Sequence, residues 1–565
     1  MSAEPEVSRC RTRAVMVRLL VVFLTFSSVA SLSPTARGRR RISLRAQQSE
    51  QEVRAVLNER RAEDTRVVPK AAAERAPLIP AAELDLLPFF LEKALVAVEG
   101  KESSTVAKEK IVVLGSGWAA AALVSKLGAD ADVTVISPRN YFLFTPMLAG
   151  AAVGTVEFRS ICQPLRSLSP SLDYYEAAAT SIDVSRKVVV CEAVLCKGAS
   201  CAIDEFEVGY DRVVVATGAT TNTFGVPGVR EHCLFLREIS DANLLRQSIG
   251  NCFERANLPT LPDAERRRAL SFVVVGAGPT GVEFCAELRD FLLSEGSRFY
   301  PNLLPLVKVT LLEATNSILG VFDEELRDVA IETLRLRIDK DQTTISPVDV
   351  RLGAAVSLVN ESHVLIGDES LAYGACIWAT GNGASRLVTE TIAAMPSPQA
   401  DYQYATRGRI ATDEWMRVYG APKGEVFALG DCAAYSANPL PATAQVAAQQ
   451  GEFLARLLVR YDSSVEKPTR RSGGSLAELF CDRDDAGLVV ARPFQFLNLG
   501  ILAYLGDNKA LAQIGKGGRV AVTGRAGFAL WRSVYLAKQL SIRNRILVAG
   551  DWARARVFGR DITRF

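Results

Sequence analysis

Two glycine turns are the stretches of this chain whose residue types and spacing can do chemistry. Lys110-Ile111-Val112-Val113-Leu114 runs straight into Gly115-Ser116-Gly117, and Trp118-Ala119-Ala120-Ala121-Ala122-Leu123 follows. This order predicts a buried parallel strand, a tight turn and a helix N-terminus. Gly115 permits the turn, Gly117 lets a pyrophosphate approach the backbone, and Ala120 keeps helix and strand close. The helix start offers free N–H groups and a positive dipole end to phosphates. Ser271-Phe272-Val273-Val274-Val275-Gly276-Ala277-Gly278-Pro279-Thr280-Gly281 repeats the pattern with the full Gly-x-Gly-x-x-Gly spacing. Two such turns in one chain imply two dinucleotide sites.

The elements that must position these turns are legible around them. Val133-Thr134-Val135-Ile136 is a second strand ending at Ser137, where a ribose-binding acid usually stands. A serine there can still accept from a ribose hydroxyl. Asn140-Tyr141-Phe142-Leu143-Phe144-Thr145-Pro146 is suited either to line an apolar ring or to fill a core. A strand ending Ala216-Thr217-Gly218 is matched after the second turn by one ending Ala379-Thr380-Gly381, so the halves read as duplicates. Val309 to Glu313 is a strand ending in an acid. That carboxylate would bond a free 2′-OH and repel a 2′-phosphate, which favours NADH over NADPH. Val426 to Asp431, another strand with Gly430-Asp431 at its end, follows the second half, so the first half should be split around it. Gln445 and Gln449 sit four apart on one predicted helix and share a face, as site residues or as solvated glutamines.

Of 565 residues 48% are apolar, enough for a large core, and the net charge of +3 does not suggest a nucleic-acid partner. Eleven scattered cysteines read as reduced thiols. Only His232 and His363 are histidines, which leaves a histidine metal site or triad without ligands, and no metal is expected. Residues 1–45 read as a targeting presequence: no acid lies between Glu6 and Glu50, arginines are frequent, and Leu19 to Phe26 is apolar. An organellar address follows, either direct or as a two-part plastid signal. A lone membrane anchor is the alternative. Residues 46–107 read as a linker or peripheral helix, and 463–487 as a polar excursion. From Arg525 onward nine Lys and Arg face two Asp, interleaved with Phe528, Trp531, Tyr535, Trp552 and Phe558. Such a stretch suits an anionic membrane surface, or a packed helix with a solvated basic face.

Together these motifs resemble the type II NADH dehydrogenases, the single-subunit, non-pumping NADH:quinone oxidoreductases, above all those of plant, fungal and algal organelles. The resemblance covers about 108–565. It is carried by Ser137 to Pro146, by the Gly276 turn with Val282-Glu283-Phe284, by Ala444-Gln445 to Gln450-Gly451, by Leu502 to Gly506, and by Phe558 to Arg564. It implies an α/β fold of two Rossmann-like domains of the pyridine nucleotide-disulfide oxidoreductase type, plus a C-terminal amphipathic membrane-docking region. Residues 108–240 and 383–460 would bind FAD, 241–382 NADH, and 461–565 would anchor and dimerise. Gly115, Gly117, Ser137, Asn140, Tyr141, Thr217, Gly218, Gly430 and Asp431 would serve FAD, and Gly276, Gly278, Gly281, Glu313 and Gly381 NADH. Gln445 and Gln449 match glutamines lining the quinone site, and Glu283 and Lys509 match residues near the rings proposed for proton transfer. Read alone, Glu283 is equally a first-turn acid favourable to its helix dipole and Lys509 a surface lysine. The implied partners are a membrane quinone, a bilayer surface and a second copy. The implied location is the mitochondrial inner membrane, or a plastid membrane. Asp339 to Thr344 begins like a calcium loop but lacks Gly at its sixth place and an acid at its twelfth, Val350, so no calcium control is expected. Rival readings are a disulfide or sulfide:quinone reductase using Cys191, Cys196 or Cys201, and a non-catalytic NADH-binding sensor.

Overall fold

The computed structural model describes residues 108–128, 131–194, 205–340, 343–470, 482–483, 489–514 and 520–563. The expected presequence, the 46–107 linker and most of the polar excursion lie outside them. Residues 107–472 with 490–565 form one compact unit. The elements below belong to it.

In chain order they are β1 (Lys110–Leu114), α1 (Trp118–Leu127), β2 (Asp132–Ile136), β3 (Leu172–Tyr175) and β4 (Arg212–Val215). Next come β5 (Ser271–Val275), α2 (Pro279–Phe291), β6 (Lys308–Leu312), β7 (Asp349–Arg351), β8 (Ala375–Trp378) and β9 (Val426–Ala428). Last are α3 (Ala444–Arg460), β10 (Ile501–Gly506), β11 (Lys509–Ile514), α4 (Gly524–Ala537) and α5 (Ile542–Phe558).

One parallel sheet has the order β9-β4-β1-β2-β3. Its central strand β1 is buried on both faces from Ile111 to Leu114, as a sheet covered on both sides requires. Strand β9 returns to this sheet after the second half, with Val426 opposite Val213. The second parallel sheet runs from a strand at Leu234–Phe235 through β8, β5 and β6 to β7. The two segments that cross between the halves pair with each other, Thr220 opposite Gly383 and Thr221 opposite Asn382. Helix α3 packs on α1. A Cβ at Gly451 would overlap the Ala119 carbonyl oxygen and crowd Ala122. Gly451→Ala is therefore expected to lower stability by about 1–3 kcal/mol, the usual effect of overpacking. A fall in the urea midpoint checks this.

After 490 the chain forms an antiparallel sheet of β10, β11 and Val520–Val522, on which α4 lies, followed by α5. The aromatics expected to face a membrane mostly turn inward. Trp531 and Trp552 are 6% and 9% exposed, and Trp531 packs against Tyr504, Phe528 and Tyr535. Among the described residues after 490 the large exposed apolar side chains are Leu499, Leu540, Ile542, Ile546, Val557 and Phe558. No helix among the described residues is long and apolar enough to cross a membrane. Ile338–Lys340, in the stretch that begins like a calcium loop, pairs antiparallel with Thr343–Ile345. There Arg337 and Thr344 donate to the Asp339 carboxylate.

Candidate functional site

The first glycine turn closes the β1–α1 unit. Gly115 sits at φ +113, and a Cβ there would overlap the Ala216 carbonyl oxygen at the end of β4. Helix α1 starts at Gly117 with no side-chain cap and no acid in its first turn. A Cβ at Gly117 or at Gly218 would meet nothing within 4 Å, so open space lies over uncapped N–H groups. The Thr217 hydroxyl is buried beside the Cys432 thiol but meets no partner in proper hydrogen-bond geometry. Asp431 follows β9; burial raises its pKa, and Arg237 and Arg409 nearby oppose the rise. Gly430 N donates to Gln450 Oε1 at 2.7 Å, which ties this turn to α3. Uncapped N–H groups, an orphaned hydroxyl and a carboxylate flanked by arginines fit a ligand with a pyrophosphate and several hydroxyls, as FAD has.

Ser137 is 3% exposed, and its hydroxyl donates to Ser116 Oγ at 3.1 Å and accepts from Arg139 N at 3.2 Å. Arg139 Nε donates to Ser116 Oγ at 3.0 Å, and its guanidinium pairs with Glu238 at 2.5 Å. The guanidinium, not the serine, is the larger polar group at this strand end. Sequence reading missed it, although it lies two residues on in the quoted motif. Asn140 and Tyr141 line a cavity of about 670 Å³ with Cys162, Arg166, Tyr175 and Arg543. None of the glycine-turn residues lines that cavity.

The second turn is tighter. Gly276 sits at φ +102, and a Cβ at Gly281 would overlap the Gly276 carbonyl oxygen. Gly278 faces open space, and Pro279 opens α2. Glu313 accepts from Ala277 N at 2.8 Å and Thr315 N at 2.9 Å, so it braces the turn it was expected to serve through a ribose. Each carboxylate oxygen keeps a further lone pair for a ligand hydroxyl. Gly381, at φ +83, serves the crossing segments, because a Cβ there would overlap the Asn222 carbonyl oxygen.

The two glutamines part company. Gln449 donates to Leu497 O at 2.8 Å and accepts from Leu497 N at 3.0 Å, so both ends of its amide hold the backbone before β10. Gln445 lies in the first turn of α3, half-buried, behind the Thr443 cap. Glu283 on α2 is buried, and Tyr504 N donates to its Oε1 at 3.2 Å. Burial first, then the nearby Glu287 carboxylate, push its pKa up to about 8 against the hydrogen bond from Tyr504. Lys509, its side chain 39% exposed at the β10–β11 turn, pairs with Asp507 at 3.3 Å. Glu287 and Asp290, four and seven residues after Glu283, were missed. The available signal was acids set among Phe284, Cys285, Ala286 and Leu288, which are all buried.

The seven described cysteines are free. Burial pushes the Cys162, Cys191 and Cys432 thiols up to about 11, away from the thiolate that thiol chemistry needs. Cys196 and Cys201 lie outside the described residues.

Residues 109–451 match the pyridine nucleotide-disulphide oxidoreductase family, and residues 498–561 match the NDH2 C-terminal domain. A probable NADH dehydrogenase of Dictyostelium discoideum is 36% identical over 84% of this chain and 95% of that protein. The mitochondrial external alternative NAD(P)H-ubiquinone oxidoreductase B2 of Arabidopsis thaliana is 34% identical over 80% and 90%. The solved structure of NDH2 from Plasmodium falciparum in complex with NADH shares the fold, with TM-score 0.69 and 22% identity over 81% of this chain and all of that one. With two glycine turns on two parallel sheets and relatives matched over most of their length, the chain belongs to the type II, or alternative, NADH dehydrogenases, a branch of the pyridine nucleotide-disulphide oxidoreductases.

Proposed function

We propose that this protein oxidises NADH and reduces a membrane quinone, with FAD held at the Gly115 turn and NADH at the Gly276 turn. The observation that carries the reading is the pair of uncapped helix starts, at Gly117 and Gly278, each facing open space at the end of its own sheet. Residues 108–240 with 383–460 form the FAD half, and 241–382 the NADH half. The flavin, when bound, supplies hydride acceptance and electron transfer. The chain supplies the rest. The N–H groups of α1, the Thr217 hydroxyl and Asp431 hold one dinucleotide, and those of α2 with Glu313 hold the other. Glu283, protonated at neutral pH, offers a proton on the side of α2 that faces Trp531 and Tyr504. Gln445, half-buried on the first turn of α3, is the glutamine left to meet an acceptor, while Gln449 holds the Leu497 backbone. Disulfide chemistry finds no support in the buried, protonated thiols described above.

The test is steady-state turnover of the flavin-loaded protein. NADH consumption that requires quinone, and is not replaced by a disulfide substrate, supports the reading. A flavin that NADH does not bleach overturns it. Glu313→Ala is expected to lower kcat/KM for NADH about tenfold, the worth of a charge-assisted hydrogen bond, and to narrow the preference over NADPH. Kinetics with both nucleotides check this.

The location follows the relatives: we infer an organellar protein of the mitochondrial type, resting on a membrane face through α5. Ile542 and Ile546 are 55% and 66% exposed, four apart on that helix, with Arg543 beside them. Replacing both isoleucines with Glu is expected to abolish sedimentation with anionic vesicles and to leave NADH oxidation by a soluble quinone unchanged. Each buried aliphatic chain is worth about 1.5–3 kcal/mol.

A further inference from the structure

Helix α2 carries three acids on one face, Glu283, Glu287 and Asp290, spaced at four and three residues. An apolar helix face does not hold three carboxylates without a reason, because each loses hydration. Their partners are specific. Thr155 Oγ1 donates to Glu287 Oε2 at 2.7 Å, and Arg560 Nη2 stands 3.7 Å from the same oxygen. Arg560 Nε also donates to Thr155 Oγ1 at 3.0 Å, and its Nη1 to the Asp290 carbonyl at 3.1 Å. Tyr504 OH donates to Asp290, and Asp507 N donates to Asp290 Oδ1 at 2.8 Å. Asp507 in turn pairs with Lys509.

Between Glu283 and Glu287 lies a void of about 10 Å³, lined also by Tyr504, Trp531, Trp552, Gly150 and Thr155. That is close to the smallest space that holds one water. Trp531, 6% exposed, lines it, and its indole N–H is buried. This N–H is near enough to Glu283 and to the buried Tyr535 hydroxyl, which itself faces Glu283, to temper the rise in both pKa values, yet it meets neither in proper hydrogen-bond geometry. A donor left unpaired in such a place points to a guest that accepts from it. The neighbouring backbone keeps the space clear: a Cβ at Gly150 would come to 3.2 Å from Glu287 Oε1.

We propose that Glu287 is a proton-relay residue that reloads Glu283 through a water held in this void, with Thr155 and Arg560 as the entry from solvent. The inference rests on the NADH:quinone reading above. Overall, NADH, one proton and a quinone give NAD⁺ and a quinol. Hydride carries two electrons and one proton equivalent, and the second proton must come from solvent. Glu283 gives that proton to the quinone oxygen and becomes a carboxylate. Glu287 passes a proton to it through the water, and solvent restores Glu287 by way of Thr155. Glu287 touches no substrate, so its role is one of positioning and supply. The charged and titratable groups facing it are Glu283 and Asp290 on α2, Arg532 on α4, Tyr504 on β10, and Arg560 beyond α5. Burial raises its pKa, and Arg560 and the Thr155 hydrogen bond hold the rise back.

Glu287→Gln is the test, in the full-length flavin-loaded protein. Bleaching of the flavin by NADH under anaerobic conditions uses no proton from this path and is expected within about twofold of the unmodified protein. Quinone-dependent turnover is expected to fall about ten- to a hundredfold, the low end of general acid–base contributions. Small weak acids in the buffer are expected to restore part of it, which a merely structural loss would not allow. Infrared difference spectra give a second readout: one protonated-carboxyl band disappears, and the titration of the remaining Glu283 band moves to lower pH. Thr155→Val keeps the Arg560 pair and is expected to slow turnover severalfold with the same rescue. Turnover within twofold of normal in both variants, or no rescue by weak acids, overturns the proposal. Failure of NADH to bleach the flavin in the unmodified protein would instead remove the reading beneath it.

Discussion

Gly115→Val is expected to give a colourless protein that no longer oxidises NADH. At φ +113 a β-branched residue is strained by about 1–3 kcal/mol before it touches anything. Its Cβ would then overlap the Ala216 carbonyl oxygen, which belongs to backbone and cannot swing aside. The turn must open, and with it goes the register that hands Gly115 N to Ile136 O at 2.9 Å. The uncapped N–H groups of α1 then lose their aim. Losing a dinucleotide held at a helix start also removes the stabilisation that tight binding adds, several kcal/mol when ligand far exceeds its dissociation constant. Flavin absorbance per mole of protein after gel filtration, with circular dichroism to check the fold, measures the effect. Gly117→Ala is the control. Its Cβ would meet nothing in the protein, so the fold should survive while flavin affinity falls.

The second large effect concerns Glu283→Gln. Quinone-dependent turnover is expected to fall about a hundredfold, within the range for losing a general acid, while flavin bleaching by NADH persists. The pH dependence follows from the folded pKa of about 8 against an ordinary value of 4.5. The acid form is present below pH 8, so turnover of the unmodified enzyme should decline as pH rises through about 8. The variant should lack that limb. Stability changes with the same sign. Between pH 4.5 and 8 the folded state holds a proton that the unfolded chain has released. Stability therefore falls as pH rises across this window, by several kcal/mol in all, and levels off above it. The amide of the variant titrates nowhere, so the variant should lose less stability than the unmodified protein from pH 5 to 9 and be the more resistant to urea at pH 9. Urea midpoints across that range check the sign.

How much of this was legible in the sequence differs by element. The two parallel sheets were, because β1 and β5 are unbroken apolar runs that end in glycine, and few other folds use that grammar. The return of β9 to the first sheet was also legible, since Gly430-Asp431 follows a strand placed after a complete second half. The partners of Gln449 were not. Its amide is satisfied by a peptide 48 residues away, and no local pattern encodes where Leu497 will lie. Glu313 shows the same limit, because a carboxylate at a strand end can brace the turn or meet a ribose with identical spacing. The aromatics of α4 left two readings open for a physical reason. A stripe that suits a bilayer also suits a core, and here β10 covered it. Glu287 and Asp290 went unnoticed because helix charges are normally solvated. Only packing shows that α4, α5 and the tail close over them.

The most direct measurement is an anaerobic titration of the purified, flavin-loaded protein, first with NADH and then with a quinone. One equivalent of NADH per flavin should bleach the flavin band, and one equivalent of quinone should restore it with no loss of protein thiols. A protein that binds no flavin, or whose reduced flavin returns with a disulfide and not with a quinone, would contradict the account.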